Sequence, residues 1–173
     1  MSQETGWLIR PEVPADLAAV RAVLTAAFPT PAEAGLVDAL RSAGRLTVSL
    51  VATTSNGEII GHVALSPLTL DDHHTRGLGL APVAVDPAHQ GRGLGGALVR
   101  AALAAARDRG ARFVVLLGAP AYYSRFGFVA ASTLGLTSEY EAGDAFQAIE
   151  LQPGALAPLR GLVRYAPEFA DLE

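Results

Sequence analysis

Sixteen residues concentrate what chemistry this sequence offers: Val83-Ala84-Val85-Asp86-Pro87-Ala88-His89-Gln90-Gly91-Arg92-Gly93-Leu94-Gly95-Gly96-Ala97-Leu98. An apolar strand ends at Asp86-Pro87, and a glycine-rich loop then opens into an alanine-rich helix. Such a loop can bind phosphate. The first N–H groups of a helix have no partners within it, and the helix dipole adds positive potential there. Glycines remove the side chains that would hold a pyrophosphate away from those N–H groups. Two spacings overlap in the loop. Gly91-x-Gly93-x-x-Gly96 matches the dinucleotide fingerprint, which also needs an acidic residue about 20 positions further on. No Asp or Glu stands between Asp108 and Glu139. The Walker pattern fails too, because no Lys-Ser or Lys-Thr follows the glycines. The second spacing is Gln90-x-x-Gly93-x-Gly95. A glycine-rich turn without a ligand is the plain alternative to both.

The bulk of the chain narrows the classes. Its 173 residues suggest one domain, 1–173, with a sizeable core. Half of them are apolar and 17% are charged, the balance of a globular chain rather than a disordered one. The formal net charge is −4 and no Lys/Arg stripe is visible, which argues against a nucleic-acid partner. The absence of cysteine excludes disulfides, thiolate metal sites and cysteine nucleophiles. Met1 to Gly6 lack a basic region followed by an apolar run, so no signal peptide is expected. No apolar stretch approaches the length of a membrane span. A soluble cytoplasmic protein without a membrane partner is the expectation. His73-His74 supplies half a metal site with no third ligand in view, and reads as a solvated turn; no metal is expected.

The elements that must position the loop can be read in order. Trp7 to Arg10 form a first strand, and Asp16 can cap a helix over about 17–28. Phe28-Pro29-Thr30-Pro31 breaks it, and a second helix follows over roughly 32–43, ending near Gly44. A strand over 47–53 leads through Asn56-Gly57, a hairpin signal, into a strand over 58–66. Asp71 to Arg76 read as a polar turn, and the next strand is Gly77 to Val85. Pro82 cannot donate a ladder hydrogen bond, so a bulge or free edge is expected there. A helix over about 93–109 follows, with Leu94, Leu98, Ala101 and Ala105 as its buried stripe. Phe113 to Leu117 is a short apolar strand for a sheet centre. A short helix over 122–126, a strand over 146–151 and a Pro-containing tail complete the chain. The early strands are antiparallel, whereas the 77–85 and 113–117 strands, joined through a helix, must be parallel.

The Gln90-x-x-Gly93-x-Gly95 loop resembles the acetyl-CoA pyrophosphate loop of the GCN5-related N-acetyltransferases (GNAT). Leu80 to Pro87 resemble that family's cofactor-binding strand, and Tyr123-Ser124-Arg125-Phe126-Gly127-Phe128 its Tyr-x-x-x-Gly-Phe segment. Ile149 to Leu156, with Gly161 to Tyr165, is similar to the end of the YhbS-like acetyltransferases, although the acidic residue often found near Ala119 in that pattern is absent. The resemblance covers a core over 7–151, with 152–173 as tail. It implies an α/β (α+β) fold: a mixed, mostly antiparallel sheet splayed at the parallel 77–85/113–117 pair and flanked by helices.

The same resemblance implies roles. Backbone N–H groups across Gln90, Gly91, Arg92, Gly93, Leu94, Gly95 and Gly96 hold the CoA pyrophosphate. Val83 and Val85 offer strand backbone to the pantetheine arm, with Ala84 between them in the same cofactor-binding strand, and the Val85 N–H is the candidate oxyanion donor. Gln90 organises the loop or is a plain surface residue; Arg92 meets a phosphate or is only solvated. Tyr123 protonates the leaving thiolate, a phenol of pKa about 10 suiting a thiolate of similar basicity, or else is a half-buried core aromatic. Tyr122 packs. Glu33, His62, His89 and Glu139 are candidate bases for the attacking amine. The implied function is acetyl transfer from acetyl-CoA to a primary amine by direct attack, in a monomer or homodimer, with the acceptor unassigned. An acyl-CoA-binding sensor without turnover and a nucleotide-dependent oxidoreductase are the competing functions.

Overall fold

Tight turns and a single helical crossover account for the order of the central strands. The computed structural model describes residues 6–140 and 142–172. Strand β1 (Leu8–Pro11) is followed by helices α1 (Leu17–Ala27) and α2 (Ala32–Ser42). Strands β2 (Val48–Thr53), β3 (Ile59–Leu70) and β4 (His73–Val85) form a meander. Helix α3 (Leu94–Asp108) crosses to β5 (Phe113–Leu117), and the short α4 (Pro120–Tyr123) follows. Strands β6 (Val129–Ala130), β7 (Leu136–Ser138), β8 (Phe146–Glu150) and β9 (Gly161–Arg164) complete the set. The sheet order is β1-β2-β3-β4-β5-β8-β6, with β9 beside β3 and β7 beside β9.

Alternation along β2 divides the core. Val48, Leu50 and Ala52 face one layer with Leu94, Leu98, Val99 and Ala102 of α3. Val51 faces the other, with Val20 and Leu24 of α1 and Val37 of α2. Helices therefore cover both faces, as a sheet with a parallel centre requires. The buried stripe of α3 differs from the sequence expectation: Leu94 and Leu98 hold, but Val99, Ala102 and Ala106 are buried while Ala101 and Ala105 are half-buried. Alanines on every side of this helix left its apolar period ambiguous.

Asp16 precedes α1 as expected but does not cap it. Its carboxylate accepts from Arg10 at 2.7 and 3.0 Å and from the Val13 N–H at 2.8 Å. The guanidinium is the larger cause that holds this carboxyl below its ordinary range. Helices α1 and α2 are joined by the Arg21–Asp38 pair, and Arg41 reaches Glu12 at 2.5 Å.

The Asn56-Gly57 turn forms, with Gly57 at φ 83° and β2 antiparallel to β3. The polar turn expected over 71–76 shrinks to Asp71-Asp72, at φ 49° and 65°, and His73 to Arg76 belong to β4. The Asp71 backbone and carboxylate hold that turn, the N–H donating to Leu162 O at 2.8 Å and Oδ1 accepting from Leu162 N–H at 2.9 Å. Strand β9, which lay inside the expected tail, runs beside β3 at Thr69 and Leu70, beyond the point where β2 has ended. Tyr165 and Phe169 are buried behind it.

Candidate functional site

The site begins where two strands part. Strand β4 pairs in parallel with β5 only at Gly77, Gly79 and Leu78 between them. Beyond Gly79 the β4 edge is open on that side, while its other edge stays on β3. Residues 81 and 82 form the expected bulge: Val63 pairs with Val83 and Leu65 with Leu80, so two residues of β4 stand opposite Ala64. The Ala81–Pro82 peptide is cis.

Register decides which backbone groups face the open edge. The Asp86 N–H donates to Ile60 O at 2.9 Å. Since Val85 stands opposite Gly61 and Ala84 opposite His62, the groups of Ala84 also face β3, because hydrogen-bonded and non-hydrogen-bonded pairs alternate along an antiparallel ladder. Those of Val83 and Val85 face the slot between β4 and β5. The Gln90 amide donates to Val85 O at 3.0 Å, so this side chain ties the loop to the strand end.

The loop is held by local bonds. Asp86 Oδ1 accepts from Ala88 N–H at 2.9 Å, and Gly91 and Gly93 adopt φ of 79° and 85°. Only glycine takes that conformation without strain. A Cβ on either would meet no atom of the protein within 4 Å, so both glycines border open space. Ala97 is the first residue of α3 to donate back into the turn, to Gly93 O at 3.1 Å. The N–H groups before it stand at the mouth of a cavity of about 380 Å³. Val85, His89 and the Gln90–Gly96 loop line it, together with Arg100, Tyr122 and Arg125. Arg92 is exposed and lies outside the lining.

Tyr122 was expected only to pack; it packs and also lines this cavity. Arg100 and Arg125 were missed. Arg100 stacks over Phe126 at 5.0 Å and Arg125 over the Tyr122 ring at 4.4 Å, and Arg125 Nε donates to Tyr122 O at 2.8 Å. The signal was helical spacing: Arg100 lies four residues after Gly96, on the same helix face. Two guanidinia, the open N–H groups and the α3 dipole together make an anion site.

Tyr123 lies at the β5 side of the slot. Its ring abuts Gly118, where a Cβ would come within 2.4 Å of it. Phe126 and Phe128 pack against the ring, each with centroids 6.0 Å away. Burial, and less so the neighbouring Tyr122, raise its hydroxyl above the ordinary phenol value.

The candidate bases scatter. His62 is wholly buried, its Nε2 2.8 Å from Ser49 Oγ, and burial with the charge of Arg41 lowers it to about 4. Glu139 accepts from Tyr165 N–H at 3.0 Å and faces Arg164. His89 lines the glycine-loop cavity. Glu33, in the first turn of α2, keeps one buried carboxylate oxygen without a hydrogen bond. Among the described residues no three metal-binding side chains come together, and no helix is long and apolar enough to cross a membrane.

Known proteins share this arrangement. The crystal structure of the GNAT family N-acetyltransferase YhbS from Escherichia coli in complex with CoA matches with a TM-score of 0.93 at 39% identity, covering 98% of this chain and 95% of that one. A GNAT family acetyltransferase from Brucella melitensis, in complex with acetyl-CoA, matches with a TM-score of 0.81 at 39% identity over 96% of this chain and 99% of that one. By sequence, the uncharacterized N-acetyltransferase YhbS of Escherichia coli K12 is 42% identical over 163 residues, 94% of this chain and 98% of that protein. The model of the Acetyltransferase (GNAT) family matches residues 17–128. With the family model matched over most of its length and a relative 42% identical over 94% of it, the chain belongs to the GNAT family of acetyltransferases.

Proposed function

We propose that this chain transfers the acetyl group of acetyl-CoA to a primary amine by direct attack, in the slot between β4 and β5. The observation that carries the reading is the open β4 edge at Val83 and Val85, which leads straight to the cationic cavity of the glycine loop. The CoA complexes of the YhbS and Brucella relatives support it. The pyrophosphate lies on the loop N–H groups, between Arg100 and Arg125. The pantetheine arm adds to the β4 edge as an extra strand through the Val83 and Val85 backbone.

Direction along β4 then separates the two valines. Val85 lines the phosphate cavity, so the thioester, at the far end of the arm, lies further toward the bulge. That favours the Val83 N–H, rather than that of Val85, as the donor to the oxyanion of the tetrahedral intermediate. The amine attacks the acetyl carbon, the C–S bond breaks as the intermediate collapses, and Tyr123 gives the departing thiolate its proton. Of the four candidate bases, Glu33 suits the amine best, because His62 is sealed in the core, Glu139 holds the Tyr165 backbone and His89 sits at the phosphate end.

A panel of small amines, amino acids and peptides incubated with acetyl-CoA and read by mass spectrometry tests the reading. The expected result is an acetylated amine formed in step with free CoA thiol. CoA binding without product across the panel would replace the transferase with a sensor.

A further inference from the structure

The opposite end of β4 carries a second cavity, of about 570 Å³, within the size range of small-molecule sites. Arg76, Arg112, His73 and His74 line it, together with Asp71. Arg76 and Arg112 are cross-strand neighbours: the Arg112 N–H donates to Arg76 O at 2.7 Å, one residue before the parallel pair Gly77 and Phe113. Like charges side by side on adjacent strands destabilise a sheet. Among the described residues neither guanidinium forms an ion pair. The lining holds one carboxylate, Asp71, whose Oδ1 accepts from the Leu162 N–H, against two guanidinia and two imidazoles. An adjoining cavity of about 390 Å³, which shares Thr75 and Arg76, adds Arg109, which among the described residues also forms no ion pair. This concentration of guanidinium without ion pairs stands out on a chain of formal net charge −4.

We propose that this cavity binds a small anion of at least two negative charges, bridged between Arg76 and Arg112. Planar guanidinium forks match phosphoryl and carboxylate oxygens in pairs, and the His73 and His74 rings add N–H donors. The site is separate from the acetyl-transfer slot: the paired stretch Gly77–Gly79 of β4 lies between them. A bound dianion relieves the repulsion between the two arginines and ties β4 to β5 at the start of their paired stretch, at the far end from the point where the strands part.

The test uses the whole chain saturated with CoA, so that the glycine loop is already filled. Sodium phosphate and sodium malonate are each titrated by calorimetry and thermal unfolding, with sodium chloride at matched ionic strength as reference. Saturable binding and a raised Tm are expected with phosphate, malonate or both, and not with chloride; whichever anion responds identifies the phosphoryl or the dicarboxylate chemistry. Arg76→Gln and Arg112→Gln should each weaken that binding about tenfold or more. In anion-free buffer both variants should melt at or above the wild-type Tm, because the repulsion is gone. A chloride response equal to that of the dianions, undiminished binding in Arg112→Gln, or variants that melt lower without anion would each overturn the proposal.

Discussion

Tyr123 and His62 show how burial sets the chemistry of single residues in opposite ways. Burial raises the Tyr123 hydroxyl above the ordinary phenol value of about 10. It therefore stays protonated through neutral and mildly alkaline solution, the form a general acid needs. For Tyr123→Phe we expect kcat to fall by about 10²–10⁴-fold with little change in KM for acetyl-CoA, because the proton is required only in the transition state. Tyr122→Phe should do the reverse and act on KM, since Tyr122 lines the cavity proposed to hold the pyrophosphate. Steady-state kinetics on both variants decides; a wild-type kcat in Tyr123→Phe, with chemistry rate-limiting, would return that residue to the core. His62 is lowered to about 4 by burial first and by Arg41 second. The unfolded chain accepts the proton near its ordinary pH of about 6.5, and the folded chain does not. The contribution of His62 is thus complete above that pH and is lost as pH falls from about 6.5 toward 4, by about 3 kcal/mol in all. Urea unfolding at pH 7 and 4.5 measures this loss. His62→Gln should lose less stability over that interval than the wild type; equal losses would assign the effect to other groups.

The decisive elements are the end of β4 and the start of α3. A strand bulge, an open edge and a helix N-terminus are brought together there by one short loop, which Gln90 and Asp86 hold in place. Gly93 occupies the helix entry at φ 85° with open space where its side chain would be. Gly93→Val consequently clashes with nothing in the fold. Its costs are a left-handed backbone, about 1–2 kcal/mol, and a branched side chain over the N–H groups meant for phosphate. We expect a folded variant with a Tm lower by several degrees and CoA affinity weakened roughly tenfold or more. Calorimetry with CoA checks this, and an unchanged Kd in the folded variant would remove the loop from the binding site. Strand β9 matters at this scale too, because it covers the length of β3 that β2 leaves bare and seats Tyr165 against Gly79, at the base of the splay.

For the molecule as a whole, cofactor binding is linked to folding, since only the folded chain brings β4, β5, α3 and α4 together. At a ligand concentration of 100 Kd the linkage is worth about 2.7 kcal/mol, which for a domain of this size raises Tm by roughly 5–10 °C. Differential scanning fluorimetry with acetyl-CoA should show that rise, and a flat response at millimolar ligand would contradict the assigned site. Much of this molecule could be read from the chain. Glycine spacing, Pro82 and the helix between the 77–85 and 113–117 strands are local signals, and they pointed to the loop, to a bulge or free edge, and to the parallel pair. Local signals also misled: Asp16 stood at a cap position but was claimed by Arg10, and the polar run 71–76 hid a two-residue turn stabilised by a strand some ninety positions away. Strands β7 and β9 are too short to show a period, and their pairing is non-local. Tertiary structure supplied the reason that Val83 and Val85, the valines to which the family resemblance pointed, turn their backbone into the slot, because that depends on ladder register with β3. It alone placed Arg100, Tyr122 and Arg125 around the loop and set Arg76 beside Arg112, since side chains far apart in sequence become neighbours only after the strands have paired.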